Sequence, residues 1–130
     1  MNDKIIKNWI ALADYDLDTA GAMLKTGRYL YVAFCCQQAI EKLLKAIYVK
    51  QTDQTPPYIH SLMRLVEAAN IKESLDGMQH KFLEDLNSYY IENRYTEELA
   101  SLAAKVSVER TEIIYNQTKE FAGWLKDQLK

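Results

Sequence analysis

One stretch of the chain decides its fold, and it reads Phe34-Cys35-Cys36-Gln37-Gln38-Ala39-Ile40-Glu41-Lys42-Leu43-Leu44-Lys45-Ala46. Apolar residues recur at helical spacing along one stripe, made of Ala33, Cys36, Ile40, Leu43 and Ile47. A second stripe has the same spacing but carries amide, carboxylate and ammonium groups, in the order Phe34, Gln38, Glu41, Lys45 and Tyr48. We therefore predict one helix that enters a core at one end and shows a dense polar row at the surface. On that interpretation Leu43→Asp unfolds the protein, whereas Lys45→Glu does not.

The rest of the chain continues this helical periodicity, interrupted by short polar connections. Helices are predicted from about Asp3 to Thr26, Tyr29 to Lys50, Ser61 to Asn70, Ser74 to Tyr90 and Glu98 to Gln128. Gly27 stops the first helix, and Pro56 and Pro57 close the polar loop of residues 51–57. Residues 93–96 form a further predicted connection. Because short loops make neighbouring helices antiparallel, residues 1–130 are predicted to be a single all-α domain, an up-and-down four-helix bundle with an additional short helix.

Composition and charge exclude several classes of function. The 130 residues carry a net charge of −2, so bulk charge does not steer the protein to nucleic acid or an anionic membrane, although a local basic patch stays open. No apolar run approaches the roughly 20 residues of a membrane span, and no signal peptide is recognisable, so we expect a cytoplasmic protein with no membrane partner. Cys35 and Cys36 are adjacent on a helix and cannot easily form a disulfide, so buried, reduced thiols are expected.

Few residues resemble catalytic or metal-binding groups. Asp14, Asp16 and Asp18 alternate along the first helix, where a solvated acidic face is expected rather than a divalent-metal site. His60 and His80 have no metal-ligand partners at the usual spacing. We expect His60 to organise the start of the third helix and His80 to be exposed. The sequence therefore predicts no cofactor, no metal site and no catalytic residue.

A cluster of tyrosines with one arginine follows the fourth predicted helix, in the order Tyr89-Tyr90-Ile91-Glu92-Asn93-Arg94-Tyr95. Tyrosine rings can stack on bases, and a guanidinium can hold a phosphate with two parallel hydrogen bonds. Alternatively, the tyrosines cap the core with their hydroxyls in water. The core role fits Tyr89 better, and both roles stay open for Arg94 and Tyr95.

Together these motifs closely resemble the HEPN domain family. The matching segments are Ala13-Asp14-Tyr15-Asp16-Leu17-Asp18-Thr19-Ala20, Gly27-Arg28-Tyr29, and residues 33–46 against the family pattern F-x-x-Q-Q-A-x-E-K-x-L-K-A. Pro57 to His60, with Leu62 and Leu65, matches the family's P-x-x-H-x-L-x-x-L segment. Residues 90–96 are similar to its Y-x-x-x-R-Y-P-D segment, with Thr96 and Glu97 in place of proline and aspartate.

The resemblance implies a small helical bundle, frequently a homodimer, in the prokaryotic cytoplasm. Such proteins often operate with a minimal nucleotidyltransferase, in a toxin–antitoxin or related two-component system. Some members are metal-independent ribonucleases that use an arginine followed, after four to six residues, by a histidine. No histidine stands at that distance after Arg28, Arg64, Arg94 or Arg110. The usual source of acid–base chemistry near neutral pH is therefore missing from those positions.

The expected function is a non-catalytic binding module that dimerises and engages a nucleotide, RNA or a nucleotidyltransferase partner. Its polar surface is predicted to consist of Gln38, Glu41, Lys42, Lys45, Arg94 and Tyr95. The apolar run Tyr31–Cys36 and a final helical stripe interrupted by Arg110 and Gln117 predict surplus apolar surface, and hence a homodimer. Two alternatives stay open: a toxin ribonuclease with a non-standard acid–base pair, and a purely structural subunit.

Overall fold

The computed structural model describes residues 2–89 and 107–130, and most of these residues are helical. Those residues form α1 (Asn2–Lys25), α2 (Tyr29–Thr52), α3 (Leu62–Ala68), α4 (Gly77–Asn87) and α5 (Val108–Gln128), with a 3-10 turn at Lys72–Ser74. The prediction of an all-α fold is confirmed, since α1, α2, α4 and α5 form an up-and-down bundle and α3 is the additional short helix. None of the described helices combines the length and apolar character that crossing a membrane requires.

The ends of α1 and α2 are set by residues in the left-handed region. Gly27 has a φ of 79°, which glycine adopts without steric cost, and it turns the chain from α1 into α2. Asp53 has a φ of 61°, and its N–H donates to the carbonyl of Val49 at 2.8 Å. Because this contact closes the last turn, α2 extends to Thr52, two residues beyond the predicted Lys50.

Side-chain caps set the starts of the later helices and correct three predicted boundaries. Ser61 accepts from the N–H of Arg64, and α3 runs over residues 62–68 rather than 61–70. Asp76 and Gln79 form a reciprocal capping box, so α4 begins at Gly77 and not at Ser74. Ser107 is extended and accepts from the N–H of Arg110, so α5 begins at Val108. The part of the predicted last helix over residues 98–106 lies outside the described residues.

The core is centred on α2, which contacts each of the other four described helices. Ile40, Leu43 and Leu44 are fully buried there, and burying each such side chain contributes about 1.5–3 kcal/mol. Within the run Tyr31–Cys36, the residues Val32, Ala33 and Cys36 are also fully buried. The predicted interface role is therefore wrong for these three residues, half of the run, because the neighbouring helices already cover them.

Two of the aspartates on α1 tie the bundle together. The Asp16 carboxylate lies 2.5 Å from Nζ of Lys42 on α2. The Asp14 carboxylate lies 2.5 Å from Nζ of Lys126 on α5. The prediction of a merely solvated acidic face is corrected for these two residues, because lysines of neighbouring helices reach them. Asp18 is exposed, as expected.

Candidate functional site

Two members of the predicted polar row of α2 are buried, whereas Phe34, Gln38 and Tyr48 in the same row are half-buried. Glu41 is 3% exposed and Lys45 is 6% exposed. This corrects the surface position assigned to both residues and the expectation that Lys45 belongs to a solvated face. The physical reason is that α2 is surrounded on several sides, so even its polar stripe faces other parts of the chain. Whether these residues serve binding stays a prediction, but neither presents a large contact area.

Glu41 is the centre of a buried polar cluster. Its carboxylate lies 3.3 Å from Nζ of Lys45, one turn further along α2. On its other side, its two oxygens lie 3.1 and 3.2 Å from Nδ1 of His60. The carboxylate therefore faces two potential cations or donors in a site from which water is largely excluded. Such pairing offsets the large cost of removing a charge from water.

Two glutamines extend the hydrogen bonding around Glu41. Nε2 of Gln37 donates to the backbone carbonyl of His60 at 3.1 Å and approaches the Glu41 carboxylate at 3.4 Å. Nε2 of Gln38 donates to the side-chain oxygen of Gln37 at 2.8 Å. Among the described residues, no buried side-chain nitrogen or oxygen lacks a hydrogen-bond partner. We call Gln37, Glu41, Lys45 and His60 the Glu41 cluster.

Two aromatic rings lie beside the Glu41 cluster. Nζ of Lys45 lies 5.8 Å from the ring centroid of Trp9 and 5.9 Å from that of Tyr58. The Tyr58 ring meets the His60 imidazole edge-on, with a centroid distance of 5.2 Å and an interplanar angle of 75°. Tyr58 itself is 90% exposed. A solvent-facing aromatic ring thus lies beside a largely buried ionic cluster.

Local sequence explains how these side chains meet. Gln37, Glu41 and Lys45 are spaced four residues apart, which places them one above the other on α2. His60 comes from the loop between α2 and α3, and Pro56 and Pro57 keep that loop from continuing as a helix. Just after His60, Ser61 caps α3, and the N–H of Leu62 donates to Oδ1 of Asn87 at 2.9 Å. The start of α3 therefore holds His60 in place.

The structure brings together only part of the predicted site. Gln38, Glu41 and Lys45 belong to one hydrogen-bonded group, but Lys42 faces α1 and pairs with Asp16. Arg94 and Tyr95 lie outside the described residues. Tyr89 is buried, and its hydroxyl accepts from Nε of Arg110 at 3.1 Å, which agrees with a role in the core.

Sequence reasoning left four contributors out of the predicted site: Trp9, Gln37, Tyr58 and His60. The four-residue spacing of Gln37 to Glu41 and Lys45 was a usable signal, since such residues share a helix face. No local signal pairs His60 with Glu41, because the two residues are brought together only by the fold. The expectation that His60 organises the loop agrees with its position at the start of α3.

The two cysteines precede Gln37 on α2 and are poor nucleophiles. Burial raises the pKa of the Cys36 thiol to about 12. Burial and the nearby Asp16 carboxylate raise the pKa of the Cys35 thiol as well. Since only the thiolate is reactive, neither residue offers covalent chemistry near neutral pH.

The arrangement has two chemical capacities. An imidazole held by a carboxylate at Nδ1 has a defined orientation and can move protons or donate hydrogen bonds. An exposed tyrosine ring can stack on a planar ligand. Among residues 2–89 and 107–130, no group of three or more His, Cys, Asp or Glu side chains could hold a metal ion.

A separate open cleft of about 490 Å³ lies between α4 and α5. Its lining includes Arg110, Asp85 and the apolar side chains of Phe82 and Ile113. It shares no lining residue with the Glu41 cluster. Size alone does not make it a ligand site, and it lacks the convergence of groups seen around Glu41.

Comparison with known proteins identifies the family. The family model described as HEPN domain matches residues 6–128. The chain belongs to the HEPN domain family. Two solved structures share the HEPN chain's fold. TT1696 from Thermus thermophilus is 21% identical, with a TM-score of 0.81 and 98% of each chain covered. ST0689, described as an archaeal HEPN homologue, is 22% identical, with a TM-score of 0.70, over 96% of this chain and 98% of that one.

Both likenesses to solved structures show the HEPN fold alone, because the identities are low. The comparison with curated proteins found no match.

Proposed function

We propose that this HEPN domain is a non-catalytic binding module that forms a homodimer and engages a nucleotide or RNA. The observation that carries the proposal is the Tyr58 ring, 90% exposed yet placed beside both His60 and Lys45. An exposed aromatic ring contributes little to folding, because most of its surface stays in water. Its position over a polar cluster is suited to a planar, charged ligand.

The Glu41 cluster acts in this proposal as a support. Glu41 holds Nδ1 of His60, and Lys45 and Gln37 fix Glu41 in turn. A base would stack on Tyr58, and such stacking contributes about 1–3 kcal/mol. Arg94 and Tyr95 are proposed to add phosphate and base contacts, as the sequence predicts. The buried residues therefore position the contact groups instead of touching the ligand themselves.

Binding of defined probes to point variants tests the proposal. Calorimetry or fluorescence anisotropy would use AMP, ATP and a short single-stranded RNA as probes. Tyr58→Ala should weaken binding about 5- to 150-fold, while Tyr58→Phe, which keeps the ring, should bind nearly as the wild type does. Tyr31→Ala is the matched control, since Tyr31 is also exposed and stands about 21 Å from Lys45 along the axis of α2. A wild type that binds no probe, or a Tyr58→Ala protein with unchanged affinity, would refute the proposal.

The family resemblance also supports a minimal nucleotidyltransferase partner in a toxin–antitoxin-like two-component system. Purification of the tagged chain from its native cell, with mass spectrometry of the bound proteins, tests this part. Recovery of a nucleotidyltransferase in a fixed ratio to the chain is expected. Recovery of the chain alone would remove the partner from the proposal and leave nucleotide or RNA binding to the probe measurements.

A second candidate function is a ribonuclease with a non-standard acid–base pair. It is favoured by the contact between Nδ1 of His60 and the Glu41 carboxylate, since carboxylate-oriented imidazoles serve as general bases in other enzymes. Incubation of the wild type with labelled RNA would show cleavage that His60→Asn abolishes. No cleavage by the wild type would support the binding module.

A further inference from the structure

The solvent side of α1 carries an exposed apolar stripe. Ile5, Leu12 and Tyr15 are 48%, 40% and 73% exposed, although all are large apolar or aromatic residues. With Asn8 and Thr19 they follow the alternating spacing of three and four residues that forms the contact seam between two packed helices. A lone exposed residue needs no explanation, but a seam along one helix indicates a partner.

Charges flank this stripe in a self-complementary order. Lys4, Ala11 and Asp18 are seven residues apart in turn, so they lie along the same edge of the stripe, and all three are exposed. In the described part of the chain neither Lys4 nor Asp18 forms an ion pair, whereas Asp14 and Asp16 are already paired with Lys126 and Lys42. Lys4 and Asp18 are about 21 Å apart along the helix, too far to pair within one chain.

We infer that the Ile5–Leu12–Tyr15 stripe of α1 is the surface on which a second copy of this chain packs, with the two helices antiparallel about a two-fold axis near Ala11. This inference rests on the homodimer in the proposed function and assigns its interface. In that arrangement Lys4 of one copy faces Asp18 of the other, and this contact occurs twice per dimer. The small Ala11 side chains meet at the axis and allow close approach, and Ile5 packs near Tyr15 of the second copy.

The size of the contact surface determines how tightly the dimer is expected to associate. Because the stripe lies on a single 24-residue helix, we expect the contact to bury less than the roughly 800 Å² per partner of a standard stable interface. The dimer is therefore expected to dissociate on dilution, and its dissociation constant can be measured. The affinity should also fall with added salt, since exposed ion pairs are screened.

Charge exchange across the axis gives the sharpest test. Sedimentation equilibrium would measure the dimer dissociation constant of the wild type, Lys4→Glu, Asp18→Lys and the double variant, without ligand. Each single reversal turns two attractive contacts into repulsive ones and should weaken the dimer about tenfold. The double variant restores opposite charges between copies and should return to within about threefold of the wild type. No such recovery can arise within one chain, given the separation of the two residues.

Apolar substitution provides an independent check with a matched control. Leu12→Glu should give a monomer, whereas Met78→Glu, which alters an apolar residue on α4 that is even more exposed, should leave the dimer unchanged. Circular dichroism would confirm that each variant is folded. A wild-type dimer that Leu12→Glu and both charge reversals leave unchanged overturns the interface but not the homodimer. A wild type that is monomeric up to about 100 µM overturns both, while nucleotide or RNA binding is judged by the Tyr58 variants alone.

Discussion

The carboxylate of Glu41 lies 3.1 and 3.2 Å from Nδ1 of His60, across a separation of 19 residues. Because a carboxylate only accepts hydrogen bonds, this contact makes Nδ1 the donor and orients the imidazole. It also fastens the loop before α3 to the central helix α2. The same carboxylate holds Lys45, so one buried group joins the polar stripe of α2 to the exposed ring of Tyr58.

Lys45→Glu should destabilise the protein severely, contrary to the expectation from sequence. The substitution places a second carboxylate beside Glu41 in a site where Lys45 is 6% exposed. Uncompensated buried charge costs several kcal/mol, a large part of a typical stability of about 5–15 kcal/mol. Leu43→Asp should have a loss of the same order, since Leu43 is fully buried. Urea denaturation measures the free energy of unfolding of both variants.

Lys81→Glu is the matched control for this prediction, because Lys81 is an exposed lysine on α4. The urea midpoint of Lys81→Glu should differ little from that of the wild type. A Lys45→Glu protein as stable as Lys81→Glu would show that Lys45 is not buried against Glu41.

Alkaline pH should destabilise the protein in part through Cys36. The thiol pKa is raised in the folded state, from about 9.0 to about 12, while the unfolded thiol ionises near the ordinary value. The unfolded state therefore loses its proton first as the pH rises. The contribution of the Cys36 thiol to the free energy of unfolding is therefore fully present below about pH 9 and is lost progressively toward about pH 12.

Urea denaturation of the wild type and Cys36→Ala between about pH 8 and pH 11 measures this effect. Cys36→Ala removes a buried side chain and should be less stable at every pH. Its stability should nevertheless fall less steeply above about pH 9 than that of the wild type. Parallel curves for the two proteins would show that the thiol does not contribute.

The two ion pairs of α1 should differ in strength. The Lys42 and Asp16 side chains are 22% and 18% exposed, against 36% and 48% for Lys126 and Asp14. Water screens the second pair more, so Asp16→Asn should cost about 1 kcal/mol and Asp14→Asn less than half of that. Thermal melts at low salt and at about 0.5 M salt would compare them, and added salt should reduce the Asp14→Asn effect further. Equal losses of stability in Asp16→Asn and Asp14→Asn would contradict the expectation that the less exposed ion pair is the stronger one.

Arg94→Ala should weaken binding of the RNA or nucleotide probe without a large loss of fold. Arg94 lies outside the described residues, and this prediction rests on the sequence. Because a planar guanidinium holds phosphate with two parallel bonds that lysine cannot reproduce, Arg94→Lys should not restore affinity. Stability and binding are to be measured on the same variant. A large drop in melting temperature with normal binding by the folded fraction would make Arg94 a structural residue.

Much of the fold was predictable because its signals are local. The stripe through Ile40 and Leu43 and the glycine at position 27 mark α1 and α2 within a few residues. The start of α4 was harder to place, since the apolar residues around Leu75 continue the helical pattern and only the reciprocal contacts of Asp76 and Gln79 show where the helix begins. The extended Ser107 interrupts the predicted last helix in the same way.

The sequence by itself determined the family, the helices and the all-α bundle, because helical periodicity, caps and turns are encoded over short stretches of chain. Only the tertiary structure decided that Glu41 and Lys45 are buried, because burial depends on how many neighbours surround a helix and not on its own polarity. It also decided that His60 meets Glu41 and that Lys42 meets Asp16, since contacts between residues distant in sequence follow from packing. Tyr58 is proposed as a ligand contact for the same reason. Its position beside His60 and Lys45 follows from the fold and not from its local sequence.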